Sequence, residues 1–224
     1  LHKRGYRPAA GPAPLRETLA AALALTARPR EDVLFWDPMC GSGTIAIEAA
    51  LILADKAPGL GRSFAAEEFP QIPASVWKEA REAAEAKIRH DSPFEVYASD
   101  IDEVILDVTY ENALRAGVEE HMNIFCADAR KIEKLDRRGT IVCNPPYGER
   151  LEEKANLPAL YKVIGERYKA LDSWSMGLIT AYEQAEQNIG RKADKNRKIY
   201  NGMMKTYYYQ YMGPKPPKKP REGR

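Results

Sequence analysis

Asn144-Pro145-Pro146-Tyr147 combines an amide, two prolines and an aromatic ring in an order suited to methylating an amino group on a flat ring. An exocyclic amine on a nucleobase is a poor nucleophile, because its lone pair is delocalised into the ring. An Asn side-chain oxygen and the backbone carbonyl of the next residue can accept both amine hydrogens, favouring a pyramidal nitrogen whose lone pair faces an incoming methyl group. Two consecutive prolines fix φ and offer no N–H, so the carbonyls there stay in place and free to accept. Tyr147 can stack on the base, an interaction worth about 1–3 kcal/mol. Positioning of this kind can lower a barrier by several kcal/mol, of order ~7 at best. A sulfonium methyl donor is already activated, so neither a metal nor a general base of shifted pKa is required. The bland alternative is a proline-rich turn after a buried strand.

The elements around the tetrapeptide argue for the chemical reading. Thr140-Ile141-Val142-Cys143 is a short apolar run that reads as a buried parallel strand, which puts the tetrapeptide at its carboxyl end. Ligands of open α/β sheets bind at that edge. Far upstream, Val33-Leu34-Phe35-Trp36-Asp37 reads as another strand, followed by Pro38-Met39-Cys40-Gly41-Ser42-Gly43-Thr44 and a helical stretch over 45–54. Gly41 and Gly43 permit positive φ and close approach of a ligand to the backbone. The helix start offers N–H groups to a carboxylate, and Asp37 can bind an ammonium. Together they match the amino acid end of S-adenosylmethionine. Gly41-Ser42-Gly43-Thr44-Ile45-Ala46 also satisfies the dinucleotide pattern G-x-G-x-x-A, so an NAD-dependent oxidoreductase is a rival. That fold places an acid about 20 residues after the loop, whereas the next strand-ending acid here is Asp100.

Glu95-Val96-Tyr97-Ala98-Ser99-Asp100 is the next strand, and its terminal carboxylate could accept both hydroxyls of a ribose. A helix follows, capped by Asp102, with Leu106, Tyr110, Ala113 and Leu114 as its apolar stripe and Gly117 as its stop. Residues 122–127 form a third strand closed by Asp128, which could accept from an adenine amino group. Leu160, Tyr161, Ile164, Tyr168 and Leu171 fall at helical spacing, and 176–180 is a further apolar strand. Asn201-Gly202 is a hairpin signal between strands at 197–200 and 205–212. A terminal antiparallel pair suits a methyltransferase sheet better than a dehydrogenase. In Tyr207-Tyr208-Tyr209, alternation sends the rings to both faces of a sheet, which favours packing over a base-stacking ladder.

Taken in order, Asp37 to Thr44, Asp100, Asp128 and Asn144 to Tyr147 resemble the class I S-adenosylmethionine-dependent amino-methyltransferases. Leu1-His2-Lys3-Arg4-Gly5-Tyr6-Arg7, Ala13 to Thr18, Ala57-Pro58-Gly59 and Asn144 to Leu151 narrow the resemblance to the bacterial RNA guanine-N2 methyltransferases that carry an amino-terminal THUMP domain, among them the ribosomal large-subunit enzymes. The resemblance covers nearly the whole chain. It implies a Rossmann-like α/β fold with a seven-stranded, mostly parallel sheet, a terminal antiparallel hairpin and helices on both faces. Asp37, Cys40, Gly41, Ser42, Gly43 and Thr44 would hold the methionine part of S-adenosylmethionine, Asp100 its ribose and Asp128 its adenine. Asn144, beside the cofactor, with Pro145, Pro146 and Tyr147 would receive the target base. The expected reaction is methylation of the N2 amine of a guanosine in RNA, ribosomal first, with transfer RNA as an alternative. The tetrapeptide alone would serve N6 of adenine or N4 of cytosine equally well. A non-catalytic RNA-binding module that keeps the fold is the remaining rival. The resemblance implies an amino-terminal THUMP-type RNA-binding domain, and since no such segment precedes Leu1 and the chain opens without Met, it is expected to be the catalytic portion of a longer protein.

With 224 residues and 44% hydrophobic content, the chain can build one substantial core. The methyltransferase domain is expected over 1–212, with an extension and first helix at 1–30 and an insertion at 55–92. Within that insertion, 76–89 reads as a helix, and Phe69 and Trp77 read as packing residues. No apolar stretch is long enough for a membrane span, and no signal-peptide pattern is present. Cys40, Cys126 and Cys143 read as buried thiols of a cytoplasmic protein, and the three histidines show no metal-ligand spacing. A net charge of +2 excludes a generally cationic coat. Basic residues gather at the ends, however. Lys3, Arg4 and Arg7 are candidate RNA phosphate contacts together with the stacking Tyr147, and the Pro-rich basic tail at 213–224 is not expected to fold.

Overall fold

A computed structural model describes residues 4–7, 15–148 and 151–215, with only the backbone for 151–153. Seven strands form a single sheet in the order β3-β2-β1-β4-β5-β7-β6. They are β1 (Leu34–Asp37), β2 (Val96–Asp100), β3 (Met122–Cys126), β4 (Gly139–Cys143), β5 (Trp174–Thr180), β6 (Lys195–Asn201) and β7 (Met204–Tyr211). The first five pair in parallel, and β7 runs antiparallel to both β5 and β6. The chain reverses direction in the sheet at β1, where the path to β2 and β3 goes one way and the path to β4 the other. That switch point is where an open α/β sheet leaves a crevice.

Strand alternation divides the core into two layers. Phe35, Val96, Ala98, Val142 and Ile179 face α1 (Glu17–Ala27), α2 (Thr44–Leu53) and α4 (Glu103–Ala116). Leu34, Trp36, Ile141, Cys143, Met176 and Leu178 face α5 (Leu151–Lys169) and α6 (Ala185–Ile189). β1 and β4 are buried throughout, as expected of strands covered on both faces.

Several expectations are corrected. On α4 the buried residues are Leu106, Thr109, Asn112, Ala113 and Ala116, while Tyr110 and Leu114 are 51% and 46% exposed. The inward face is turned by one residue because α4 must satisfy the carbonyls of a loop beneath it. The hairpin pairs Asn201 with Met204, so the two-residue turn is Gly202-Met203 rather than Asn201-Gly202. Cys126 is exposed, unlike Cys40 and Cys143. Phe69 is 54% exposed, whereas Trp77 stacks on Phe64 at 5.9 Å.

The insertion contributes α3 (Ala74–Glu85), which buries no residue of its own. It is tied together by Arg81, which donates to the carbonyls of Leu60 and Arg62 and to the Glu67 carboxylate at 2.6 Å. At the other end of the chain, Gly213 N donates to Ser175 Oγ and Arg138 donates to the Pro214 carbonyl. The remainder of the tail, 216–224, lies outside the described residues.

Candidate active site

Four strands bring their carboxyl ends to one edge. Asp37 closes β1 and Asp100 closes β2, and the register Asp37↔Ala98 sets them two residues apart in height on adjacent strands. Asp128 follows β3 after one residue, and Asn144 follows β4 directly. The pairing Trp36↔Ile141 puts Asn144 two residues above Asp37 on the neighbouring strand. At strand spacings that is on the order of 8 Å between Cα atoms.

Between β1 and α2 the chain makes the glycine turn. Gly41 has φ 51° and Gly43 φ 81°. A Cβ on Gly43 would stand 2.6 Å from Thr109 Cγ2, so both the backbone angle and the space require glycine there. The turn is held by β2 and α4. Gly41 N donates to Asp100 Oδ2 at 2.9 Å, Cys40 N donates to the Ser99 carbonyl at 3.0 Å, and α4 supplies two donors from above. Thr109 Oγ1 donates to the Gly41 carbonyl at 2.5 Å and Asn112 Nδ2 to the Ser42 carbonyl at 3.0 Å. Neither residue is visible as a site residue in the sequence. The one signal is their i, i+3 spacing on the face that also carries Leu106 and Ala113.

The carboxylates differ in their surroundings. Asp37 is 1% exposed and accepts only a 3.3 Å bond from Met39 N among the described residues. Burial holds its carboxyl well above the usual carboxylate range, against the lowering effect of the Met39 amide, and the nearby charge of Asp100 adds to the rise. A cation is what such a group lacks, and an ammonium fits it. Asp100 accepts from Gly41 N and Asp102 N through separate oxygens, which leaves lone pairs for a diol. Asp128 is taken up by Arg130, whose guanidinium bonds both oxygens at 2.8–3.1 Å and whose amide is also capped. The Arg130 hydrogen bonds hold Asp128 below its ordinary range, so it is an anion engaged with a neighbour rather than an open acceptor.

The other predicted residues of the turn have structural partners. Cys40 lies under the loop with its thiol 3.9 Å from Thr109 Oγ1, and burial raises its pKa, which makes it a poor nucleophile. Ser42 Oγ is 3.4 Å from Thr44 Oγ1, and Thr44 accepts from Arg7 at 3.0 Å. Arg7 also pairs with Glu17, and Arg4 pairs with Glu48, which accepts from Tyr6 OH as well. Their side chains are 13% and 16% exposed. Arg4 and Arg7 therefore point inward, where carboxylates occupy them, and not outward as phosphate ligands would. Lys3 lies outside the described residues.

The tetrapeptide leaves β4 with Asn144 half-buried, Pro145 buried, Pro146 exposed and Tyr147 half-buried. Tyr161 on α5, fully buried, donates to the Pro146 carbonyl at 3.2 Å and shares a 2.5 Å bond with Thr180 Oγ1. The Pro146 carbonyl is thus engaged and the loop is braced from below. In the sequence Tyr161 shows only helical spacing, with no signal of this role.

The sequence and the fold are shared with known proteins. A family model described as "UPF0020: RMKL-like, methyltransferase domain" matches residues 4–210. The chain is 46% identical over 211 residues to YpsC of Bacillus subtilis, whose name assigns it provisionally to the RNA methyltransferases, covering 94% of this chain and 55% of that protein. It is 40% identical over 220 residues to the ribosomal RNA large subunit methyltransferase K/L of Aliivibrio salmonicida, covering 94% of this chain and 31% of that protein. The chain thus spans about half or less of the curated relatives it matches. The solved structure of SMU.472, described provisionally as a methyltransferase and complexed with SAH, superposes with a TM-score of 0.90 at 36% identity over 96% of this chain and 56% of that one. The cofactor of the chain is accordingly S-adenosylmethionine.

Proposed function

Because the chain belongs to the RMKL-like methyltransferase domain family, we propose that it is the catalytic part of an enzyme that methylates the exocyclic N2 amine of a guanosine in RNA, ribosomal RNA first. The observation that carries the reading is the tetrapeptide rising from β4 beside the glycine turn, with its Pro146 carbonyl tied to Tyr161. Bound S-adenosylmethionine would supply a methyl group already activated on a sulfonium. Asp37 would meet the ammonium, the turn and the start of α2 the carboxylate, and Asp100 the ribose hydroxyls. Asp128, paired with Arg130, would approach the adenine only if it shared its oxygens with that guanidinium.

On the substrate side, the Asn144 side-chain oxygen and the Pro145 carbonyl would accept the two amine hydrogens. The Pro146 carbonyl is engaged by Tyr161, so the second acceptor would be the Pro145 carbonyl. Tyr147 would lie against the base. A base in folded RNA must be swung out of its stack to reach this pocket, at a cost of a few kcal/mol. An amino-terminal THUMP-type domain of the full-length protein would present the RNA. The name of the Aliivibrio relative supports RNA as the substrate class, and guanine N2 is our choice within it.

RNA from cells lacking the protein, labelled with tritiated S-adenosylmethionine and the full-length enzyme, should yield N2-methylguanosine on digestion. Recovery of N6-methyladenosine or N4-methylcytidine would overturn the choice of base. Asn144→Ala should reduce labelling by at least ~100-fold, the scale of a misplaced reacting group, while S-adenosylhomocysteine still binds. Undiminished labelling would remove Asn144 from the chemistry.

A further inference from the structure

The β6–β7 hairpin extends beyond the rest of the sheet at the substrate edge. β5 ends at Thr180, which pairs with Tyr207, so Thr206, Lys205 and Met204 and their partners on β6 stand above it. That overhang is roughly 10 Å. The register Cys143↔Leu178 puts Asn144 and Pro145 level with Ile179 and Thr180. The overhanging ribbon therefore starts at the height of the tetrapeptide, two to three strand spacings to one side, roughly 10–15 Å away.

One face of this ribbon carries a checkerboard of cations and rings. Lys198 stands opposite Tyr207, and Tyr200 opposite Lys205. Along each strand the lysine lies over the neighbouring ring, Lys198 Nζ 5.3 Å from the Tyr200 centroid and Lys205 Nζ 5.2 Å from that of Tyr207. Lys205 is also 3.5 Å from Glu183, a pair open to water. Tyr209, next on the same face, packs in the layer that holds Tyr161, so the checkerboard shares its side of the sheet with the residue that braces the tetrapeptide. Lysines alone would be explained as protection of an edge strand against pairing with other chains. They do not explain why Tyr200 is 57% exposed and Met203 98% exposed at the tip. An exposed ring accompanied by lysines on a β ribbon is the chemistry of a single-stranded nucleic-acid groove.

We propose that Lys198, Tyr200, Lys205 and Tyr207 form a docking strip for the single-stranded RNA beside the target nucleotide, with Tyr200 stacking on a base and the two lysines meeting phosphates. The inference rests on RNA being the substrate of the site. Its experiment begins with the full-length enzyme methylating RNA, which tests that reading by itself, and continues with Tyr200→Ala, Tyr200→Phe and Lys198→Ala. Tyr200→Ala should raise the apparent KM for RNA roughly tenfold, leaving kcat at saturating RNA, the affinity for S-adenosylhomocysteine and the Tm unchanged. Tyr200→Phe should restore the wild-type KM, because the ring and not the hydroxyl stacks. Lys198→Ala should weaken RNA binding at low salt and reduce the slope of log Kd against log salt by about one. An active enzyme whose KM and salt slope are the same in all three variants would overturn the strip while leaving the proposed function standing. So would an unchanged KM accompanied by loss of a bound protein partner, which would make the face a protein-docking surface. A wild-type enzyme that transfers no methyl to any RNA would remove both.

Discussion

At the scale of single residues, the site is built around a carboxylate placed where it is least comfortable. Asp37 is buried with one amide donor, and its pKa is raised mainly by that burial. A folded-state pKa above the unfolded value means that the native protein binds the proton more tightly than the unfolded chain does. The contribution to stability is therefore lost as pH rises from the unfolded value through the folded one, and at neutral pH an ionised Asp37 is destabilising. Asp37→Asn should raise the Tm of the ligand-free protein at pH 7 and shrink its advantage over wild type as the pH falls toward 4. The same change should abolish most of the Tm increase that S-adenosylmethionine gives, since the ammonium loses its counter-ion. A lower Tm for the ligand-free variant, read by calorimetry across that pH range, would contradict this account of the site.

At the scale of elements, the glycines permit the backbone angles of the turn, and α4 and β2 hold it in that shape. Thr109 and Asn112 satisfy the Gly41 and Ser42 carbonyls, and Asp100 takes the Gly41 amide. Thr109→Val keeps the side-chain volume and removes the donor. It should cost about 1–2 kcal/mol in urea unfolding and weaken S-adenosylmethionine binding by calorimetric titration. Leu114→Ser, at a position the apolar stripe counts as core but which is 46% exposed, should change stability by less than ~0.5 kcal/mol. Equal losses from the two substitutions would restore the stripe read from periodicity. Periodicity places the helix and both of its ends here, Asp102 at the cap and Gly117 at the stop. It misses the rotation of the helix, because hydropathy scores Thr and Asn as outward-facing, and polar residues turn inward wherever backbone groups of a loop need partners.

Over the whole molecule, the amino-terminal segment is clamped onto α2 by charge. Glu48 is 2% exposed and is held by Arg4 and the Tyr6 hydroxyl. Burial raises its pKa, and Arg4 and Tyr6 pull it back. Arg4→Ala should therefore cost about 3 kcal/mol at neutral pH, the low end for leaving one charge of a buried pair alone. The pKa of Glu48 would climb further in the variant, so the deficit should narrow as the pH is lowered and the carboxyl takes a proton. A deficit that does not vary between pH 5 and pH 8 would mean that Glu48 is not the group left uncompensated.

The strands, the terminal hairpin and the two motifs at the carboxyl edge are legible in the chain alone, because each is a local pattern of periodicity, turn chemistry or spacing, while the mostly parallel seven-stranded sheet followed from the family resemblance. What those motifs lean on appears only in the folded chain: Thr109 over the turn, Tyr161 under Pro146, Arg130 on Asp128, and Glu48 and Glu17 on Arg4 and Arg7, the candidate phosphate contacts. Most of these partners are separated by 10 to 68 residues of chain. Arg130 lies only two residues from Asp128, yet a two-residue spacing does not say whether side chains meet. A charge or hydroxyl shows its partner only when the fold closes, since Coulomb and hydrogen-bond energies depend on distance in space and not along the chain.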